Sequence, residues 1–179
     1  MKKNTMIVLG LMLTCVSATV AQMTSPTPAP EIRKLDYFTG NWSTEATIAP
    51  GPWGVGGNLR GSSAGEWMKG GFFVVSHSDY VMPMELGGAK SATTIFGYDN
   101  DKKVYTEERF VSDGLRENMT GAVNGDTWTW TGNTNYNGMT FASRLTIRVL
   151  SPTSYTTKYE VATDGASWVP FWEGKVTKK

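Results

Sequence analysis

The chain of 179 residues contains one cysteine and one histidine. Cys15 lies near the start, so the rest of the chain forms no disulfide and offers no thiolate nucleophile. His77 has neither a cysteine nor a carboxylate cluster beside it, which makes it a poor start for a metal site. These absences argue against a disulfide scaffold, a cysteine hydrolase and a zinc centre, and we expect no metal and no cofactor.

An excess of charge of one sign is also absent, since the chain has 17 basic and 16 acidic residues. A nucleic-acid surface needs a clustered basic excess, so we expect no nucleic-acid partner. Gly54, Gly56 and Gly57 lack the spacing of a dinucleotide fingerprint, and no helix is predicted after them. The chain also has no Gly-x-Ser-x-Gly elbow of a serine hydrolase. Several large enzyme classes are thereby excluded.

No apolar run is long enough to span a bilayer. Met6 to Val16 is apolar, follows a positively charged start and leads into small residues. This order predicts a signal peptide over residues 1–21 with cleavage after Ala21, or alternatively after Ala18. The protein is then exported to the periplasm or the medium, without stable membrane insertion once the signal is removed. A lipoprotein anchored through Cys15 is a minor alternative.

The segment after the predicted signal changes character twice. Residues 22–30 hold three prolines and predict an extended spacer. Glu31 to Phe38 spaces its apolar residues by helical turns, between Pro30 and Gly40, and predicts a short helix that plugs one end of the fold. The domain itself is predicted over residues 31–179.

From Asn41 onward the apolar residues alternate with polar ones, which is typical of strands with one dry face. Asn-Gly and Asp-Gly pairs separate the segments, and these are strong hairpin signals. A closed barrel removes the exposed edges that a sandwich would leave, so we prefer it. We predict an all-β, single closed antiparallel up-and-down barrel of ten strands: Asn41–Ile48, Leu59–Met68, Phe72–Met82, Ala92–Tyr98, Val104–Val111, Leu115–Val123, Thr127–Asn133, Met139–Leu150, Ser154–Thr163 and Trp168–Val176.

One face of these strands is apolar and aromatic, with a few hydroxyl groups at Ser76, Ser143 and Thr157. Aromatic walls with scattered polar groups are typical of small-molecule cavities. We therefore predict an apolar or amphipathic ligand in the lumen, although side chains that fill the barrel themselves explain the pattern equally well. The predicted lining is Trp42, Trp67, Tyr98, Trp130 and Phe141.

The run Leu35 to Trp42, a short helix leading into Gly-x-Trp, resembles the entry of the calycin superfamily: lipocalins, fatty-acid-binding proteins and nitrobindin-like haem barrels. The chain from about residue 31 is similar to one branch, exported bacterial domains of unknown function with a lipocalin-like barrel. The resemblance implies an interior cavity and no known reaction. The other matching pieces are Gly65-Glu66-Trp67, Gly70 to Phe73, Gly97-Tyr98-Asp99, Ser167-Trp168-x-Pro170 and Glu173-Gly174.

Two departures from those families limit what the resemblance implies. Nitrobindin-like barrels ligate haem through a histidine late in the chain, whereas no histidine follows His77. Lipocalins place a late arginine over the Gly-x-Trp tryptophan, whereas only Lys175, Lys178 and Lys179 can serve here. Haem binding in that mode is not expected, and the cation over the tryptophan is expected to be weaker or absent.

Two other functions remain open from the sequence. His77 and Asp79 lie two residues apart on one strand face and could act as a general base in a weak hydrolase or isomerase. The preferred interpretation is that His77 and Asp79 simply lie on a solvent-exposed strand face. Alternatively, the barrel is a solid interaction module, with Trp53 on its Gly/Pro loop as the partner contact. Oligomeric state is not predicted.

Charged residues also alternate along one pair of strands. Glu107 and Arg109 share a face with Tyr105, and Arg116 and Glu117 follow across a turn. A cross-strand salt-bridge ladder on the outer wall is the preferred interpretation. The alternative is that Glu108, on the opposite face, points into the lumen and anchors a ligand head group.

Overall fold

A computed structural model describes residues 26–179, so the predicted signal peptide and Cys15 lie outside the described residues. Ten strands follow a nine-residue 3₁₀ helix, Pro30–Phe38, and a second 3₁₀ turn spans Met84–Leu86. Within residues 26–179, no helix is long and apolar enough to cross a membrane. The strands are β1 Gly40–Ile48, β2 Gly57–Trp67, β3 Val74–Val81, β4 Ala89–Asp99, β5 Val104–Val111, β6 Arg116–Asn124, β7 Thr127–Tyr136, β8 Met139–Ser151, β9 Ser154–Ala162 and β10 Val169–Lys178.

The strands pair antiparallel with their neighbours in sequence, and β10 pairs with β1 to close the barrel. All ten predicted strands and the up-and-down barrel are confirmed. The turns carry the backbone geometry that the sequence indicated, because Asn137 and Gly138 both take positive φ (49° and 75°) between β7 and β8. Each hairpin therefore sets the register of the next strand, and closure leaves no free sheet edge.

The N-terminal 3₁₀ helix covers one end of the barrel, which we call the helix end. Its inner face consists of Ile32, Leu35 and Phe38, which are 2, 0 and 7% exposed. Phe38 reaches down to the rings of Phe96 and Trp128 inside the barrel. The predicted plug is thus confirmed, and it is built by residues spaced three apart, as a 3₁₀ helix requires. The opposite end, where β7 meets β8, is the far end.

Trp42 lies near the start of β1 and beneath the C-terminal segment. Its indole is 2% exposed, donates a hydrogen bond to the Thr39 carbonyl at 3.1 Å, and packs against Tyr155. The Lys178 ammonium lies 5.2 Å from the centre of the Trp42 ring. A lysine therefore fills the position for which an arginine was expected in the lipocalin pattern, so the cation over the tryptophan is present.

Replacing Lys178 by methionine is expected to lower the free energy of unfolding by about 0.5–1 kcal/mol, the usual worth of a cation over an aromatic ring. Methionine keeps most of the aliphatic stem, so the loss reports the charge. Urea denaturation measures it, with Lys179→Met as the control because Lys179 is exposed. Equal stabilities of the two variants would contradict the role given to Lys178.

Candidate functional site

Side chains from β4, β5 and β7 meet inside the helix-end half of the barrel. Trp128 and Trp130 stack at 5.9 Å, Tyr105 lies 4.8 Å from Trp128, and Phe96 lies 5.6 Å from Trp130. Gly121 stands directly opposite Trp130 on β6, and a Cβ at that glycine would come within 2.4 Å of the ring. We call Phe38, Phe96, Tyr105, Trp128 and Trp130 the aromatic floor. The floor fills this half of the barrel with the protein's own rings.

The five residues predicted to line the lumen all lie on inward-facing positions, but at different depths. Trp42, Trp67 and Tyr98 lie at the helix end, Trp130 is fully buried in the aromatic floor, and Phe141 lies on β8 towards the far end. Which of them contacts a ligand remains a prediction.

Two tryptophans are held by neighbours that the sequence did not indicate. Trp67 donates a hydrogen bond to the Asp36 carboxylate at 2.5 Å, with the Arg33 guanidinium 5.7 Å from its ring. Trp53 was expected to be exposed for a partner, but it is half-buried, with its ring 5.1 Å from that of Phe171. The loop folds over the far end because this contact buries apolar area. Trp53 is therefore part of the barrel's closure.

The wall formed by β1, β2 and β3 carries small polar side chains on its inner face. Directly opposite residues share a face, so Ser63 and Ser78 point inward with Trp42 and Ala92. Ser63, Ser76 and Ser78 are half-buried, whereas the inward Thr134 and Ser143 across the barrel are 0% exposed. This difference indicates that the lumen keeps free space along the wall of β1–β3.

A cluster of polar and charged side chains lies above the aromatic floor. Three of its members come from β5 and β6, where the strand alternation that turns Tyr105, Val111 and Met119 inward also turns them inward. The others come from β7, β8 and β9. We call the lumen polar cluster Glu107, Arg109, Glu117, Thr134, Ser143 and Tyr159.

Glu117 is the centre of this cluster. The carboxylate is 4% exposed, and Thr134 donates to its Oε1 at 2.9 Å. The Tyr159 hydroxyl also donates to Oε1, and the Thr134 hydroxyl oxygen lies 2.9 Å from Ser143 Oγ and from Tyr159 Oη. Burial raises the pKa of Tyr159 well above its usual value, and the Glu117 charge adds to the increase. The phenol therefore stays a hydrogen-bond donor to Glu117.

Arg109 provides the positive charge of the cluster. Its Nη1 lies 3.4 Å from Glu117 Oε2, and its guanidinium lies 5.6 Å from the Tyr80 ring. Burial opposes the charge, but Glu117 and the other acidic groups near the guanidinium together outweigh burial and raise the pKa of Arg109. The side chain keeps 24% of its area accessible, while its Nε is buried and has no hydrogen-bond partner among the described residues.

Glu107 is the member without a partner. It is 3% exposed, and the register places Phe96 on β4 and Met119 on β6 directly opposite it. Its Oε2 is buried with no hydrogen-bond partner in the described part of the chain. Burial raises the pKa of this carboxyl to about 8, and the charge of Glu117 adds to the increase. At pH 7 the Glu107 carboxyl is consequently protonated for the most part.

The preferred interpretation of this charged stretch was therefore wrong. Glu107, Arg109 and Glu117 face the lumen, whereas Glu108 lies on the outer wall and accepts a hydrogen bond from Asn118 Nδ2 at 2.5 Å. The alternative that placed Glu108 in the lumen is wrong for the same reason. The sequence alone indicated which face points inward, because strand alternation places Glu107 on the same face as the apolar Tyr105 and Val111.

His77 and Asp79 lie on the outer wall, exposed to solvent. His77 Nδ1 lies 3.1 Å from Thr93 Oγ1, and Asp79 accepts a hydrogen bond from Ser91 at 2.6 Å. Each side chain thus contacts β4 rather than the other, and neither lies in a cavity with the lumen polar cluster. Within residues 26–179, no three histidine, cysteine or acidic side chains converge on a common metal position.

Solved structures similar to this chain include the following two. The crystal structure of Rv2717c from M. tuberculosis superposes with a TM-score of 0.63 at 11% identity, covering 85% of this chain and 99% of that one. A de novo designed fluorescence-activating β barrel gives a TM-score of 0.45 at 14% identity, covering 80% of this chain and 95% of that one. At these identities the likeness to Rv2717c shows the fold alone.

Among curated proteins, no sequence matches this chain. The family model described as protein of unknown function DUF1579 matches residues 27–178, which is nearly all of the described barrel and its helical plug. The chain therefore belongs to the DUF1579 family.

Proposed function

We propose that this DUF1579 protein is exported and binds a small amphipathic molecule in the barrel lumen. One observation carries the proposal: three buried side-chain atoms without a hydrogen-bond partner, among the described residues, all belong to inward-facing residues. They are Glu107 Oε2, Arg109 Nε and Trp130 Nε1. Native structures pair nearly all such atoms, so unpaired ones need an explanation. A polar group of a ligand in the lumen supplies a partner for Glu107 Oε2.

The free space along β1–β3 supports the same proposal. Ser63, Ser76 and Ser78 offer hydroxyl groups, while Phe96 and the rest of the aromatic floor offer apolar area. Burying the apolar part of a ligand there contributes about 25 cal/mol for each Å² removed from water. The hydroxyls and the lumen polar cluster then fix its orientation.

Export and a relationship to calycins are parts of the proposal that rest on other observations. Export rests on the order of charged, apolar and small residues over residues 1–21. The calycin relationship is supported by the short helix that leads into Gly40-x-Trp42 and by Lys178 over the Trp42 ring.

The filled-barrel alternative is favoured by a different observation. Trp130 is 0% exposed, and the aromatic floor packs the helix-end half of the barrel without help from a ligand. The two readings differ at the wall of β1–β3. If the barrel is solid, a larger residue at Ser78 overpacks it and costs about 1–3 kcal/mol of stability. If space remains, the same residue fits and occupies the place of the ligand.

Native mass spectrometry of residues 22–179 from an exporting host tests the proposal. We expect a discrete adduct that solvent extraction removes, that Ser78→Leu loses, and that His77→Leu keeps. His77 is the matched control because it is the next residue on the same strand and points outward. An apo mass that stays unchanged after exposure to lipid and aromatic metabolite mixtures, together with a destabilised Ser78→Leu, would establish the filled barrel instead.

A further inference from the structure

The lumen polar cluster has more carboxyl groups than cations, and this excess points to the class of ligand. Glu107 and Glu117 supply two carboxyl groups, and Arg109 supplies one guanidinium. Glu117 is already satisfied, since Arg109, Thr134 and Tyr159 all donate to it. Glu107 is left as a carboxyl group that no described residue pairs.

Resting on the proposed function, we propose that the ligand carries a protonated amine on an apolar or aromatic body, and that the Glu107 carboxylate receives the ammonium group. An ammonium group beside Glu107 lets that carboxyl group ionise while the lumen stays electrically neutral, whereas an anion has to displace Glu117 from Arg109. A neutral head group leaves the second carboxyl uncompensated or protonated. Of the three charge types, the cation alone brings both a hydrogen-bond donor and a counter-charge to the ionised Glu107.

The surroundings of Glu107 also suit an ammonium group. Phe96 stands directly opposite on β4 and is half-buried, and its ring lies 5.6 Å from that of Trp130. Aromatic faces attract cations most strongly where water is excluded. Met119, opposite on β6, adds an apolar wall. The partly accessible Arg109 side chain is the group that can turn aside to admit the ligand from the free space along β1–β3.

Binding of an ammonium group requires the neutral Glu107 to ionise, so one proton passes from its carboxyl group to the buffer for each amine bound below the pKa of that carboxyl. No bond other than this O–H bond is broken, and the amine stays protonated. The ionisable groups that point into the lumen around Glu107 are Tyr80 on β3, Lys90 on β4, Tyr105 and Arg109 on β5, Glu117 on β6, and Tyr155 and Tyr159 on β9. Burial raises the pKa of Tyr105, Tyr155 and Tyr159, so none of these phenols loses the proton instead.

Isothermal titration tests this inference with three probes that share a phenylethyl group and differ in its terminal polar group: phenethylamine, phenethyl alcohol and hydrocinnamate. We expect the amine to bind at least about tenfold more tightly than the alcohol, and the acid most weakly. Titrations in two buffers of different ionisation enthalpy are expected to show release of about one proton per amine near neutral pH. Glu107→Gln is expected to remove both the preference and the proton release while the alcohol still binds.

Glu108→Gln is the matched control, because it removes the adjacent carboxyl group from the outer wall. It is expected to leave all three affinities unchanged. Tighter binding of the acid, equal binding of all three probes, or an amine affinity that survives Glu107→Gln overturns the inference while lumen binding stands. If none of the probes binds at millimolar concentration, both the inference and the proposed function fail.

Discussion

Replacing Glu117 by glutamine lowers the free energy of unfolding by about 2–4 kcal/mol, although the side chain keeps its shape. The carboxylate accepts hydrogen bonds from Thr134 and Tyr159 and pairs with Arg109. Glutamine keeps one acceptor oxygen, but it leaves the Arg109 guanidinium without a counter-charge. Removing one partner of a buried ion pair costs more than the pair itself contributes, because the remaining charge stays desolvated. Urea denaturation at neutral pH measures the loss.

Two further variants separate loss of charge from loss of shape. Arg109→Met removes the cation and keeps most of the aliphatic stem. Added to Glu117→Gln, it removes the unpaired guanidinium and therefore restores part of the stability that Glu117→Gln loses. The double variant is expected to lose less free energy of unfolding than the two single variants lose in total, because neither partner is left as an unpaired charge. Strict additivity of the two losses would show that Arg109 and Glu117 are not coupled across the lumen.

The strands were predictable because hairpin signals are local. Asn137 and Gly138 tolerate positive φ, and positive φ at both positions reverses the chain in a tight turn. No distant contact is needed to produce this turn. The plug was predictable for a similar reason, since Pro30 and the apolar spacing up to Phe38 bound the helix. Closure followed once ten consecutive antiparallel strands were recognised, because a closed barrel leaves no exposed edge.

The lumen polar cluster could not be predicted in the same way. On β5 the two faces carry Glu107 and Arg109 on one side and Glu108 on the other, so polarity alone does not distinguish inside from outside. The usual rule sends charges to the surface because burial of an unpaired charge is costly. Here Arg109 and Glu117 offset that cost by pairing, and Glu107 avoids it by holding its proton. Those compensations exist only between strands, so the fold has to be known first.

The two buried glutamates therefore have opposite roles, although both face the same lumen. Glu117 is held by three donors and stabilises the barrel as a carboxylate, whereas Glu107 has no partner and is tolerated as a neutral acid. A residue that lowers stability and pairs with no neighbour is typical of a ligand-binding group, since binding sites often reduce the stability of the free protein. The same substitution at the two positions consequently has opposite effects.

Replacing Glu107 by glutamine is expected to stabilise the free protein, and the gain depends on pH. The pKa of this carboxyl is raised from 4.5 to about 8 in the folded state, so between these values the unfolded chain has lost a proton that the folded chain keeps. The unfolded state then binds fewer protons, and the stability of the natural protein falls as pH rises from about 4.5 to about 8. Glutamine removes this dependence, because it does not titrate.

The variant and the natural protein should therefore be nearly equal in stability near pH 4, and the variant should be more stable by about 3–5 kcal/mol at pH 9. Chemical denaturation of both proteins at several pH values measures the difference. In the control variant Glu108→Gln, the free energy of unfolding must fall with pH as steeply as in the natural protein. A difference that does not change with pH would mean that Glu107 is ionised at neutral pH, held by Arg109 in place of a ligand. A saturating amine is expected to narrow the gap at high pH, because it stabilises only the protein that retains the carboxylate.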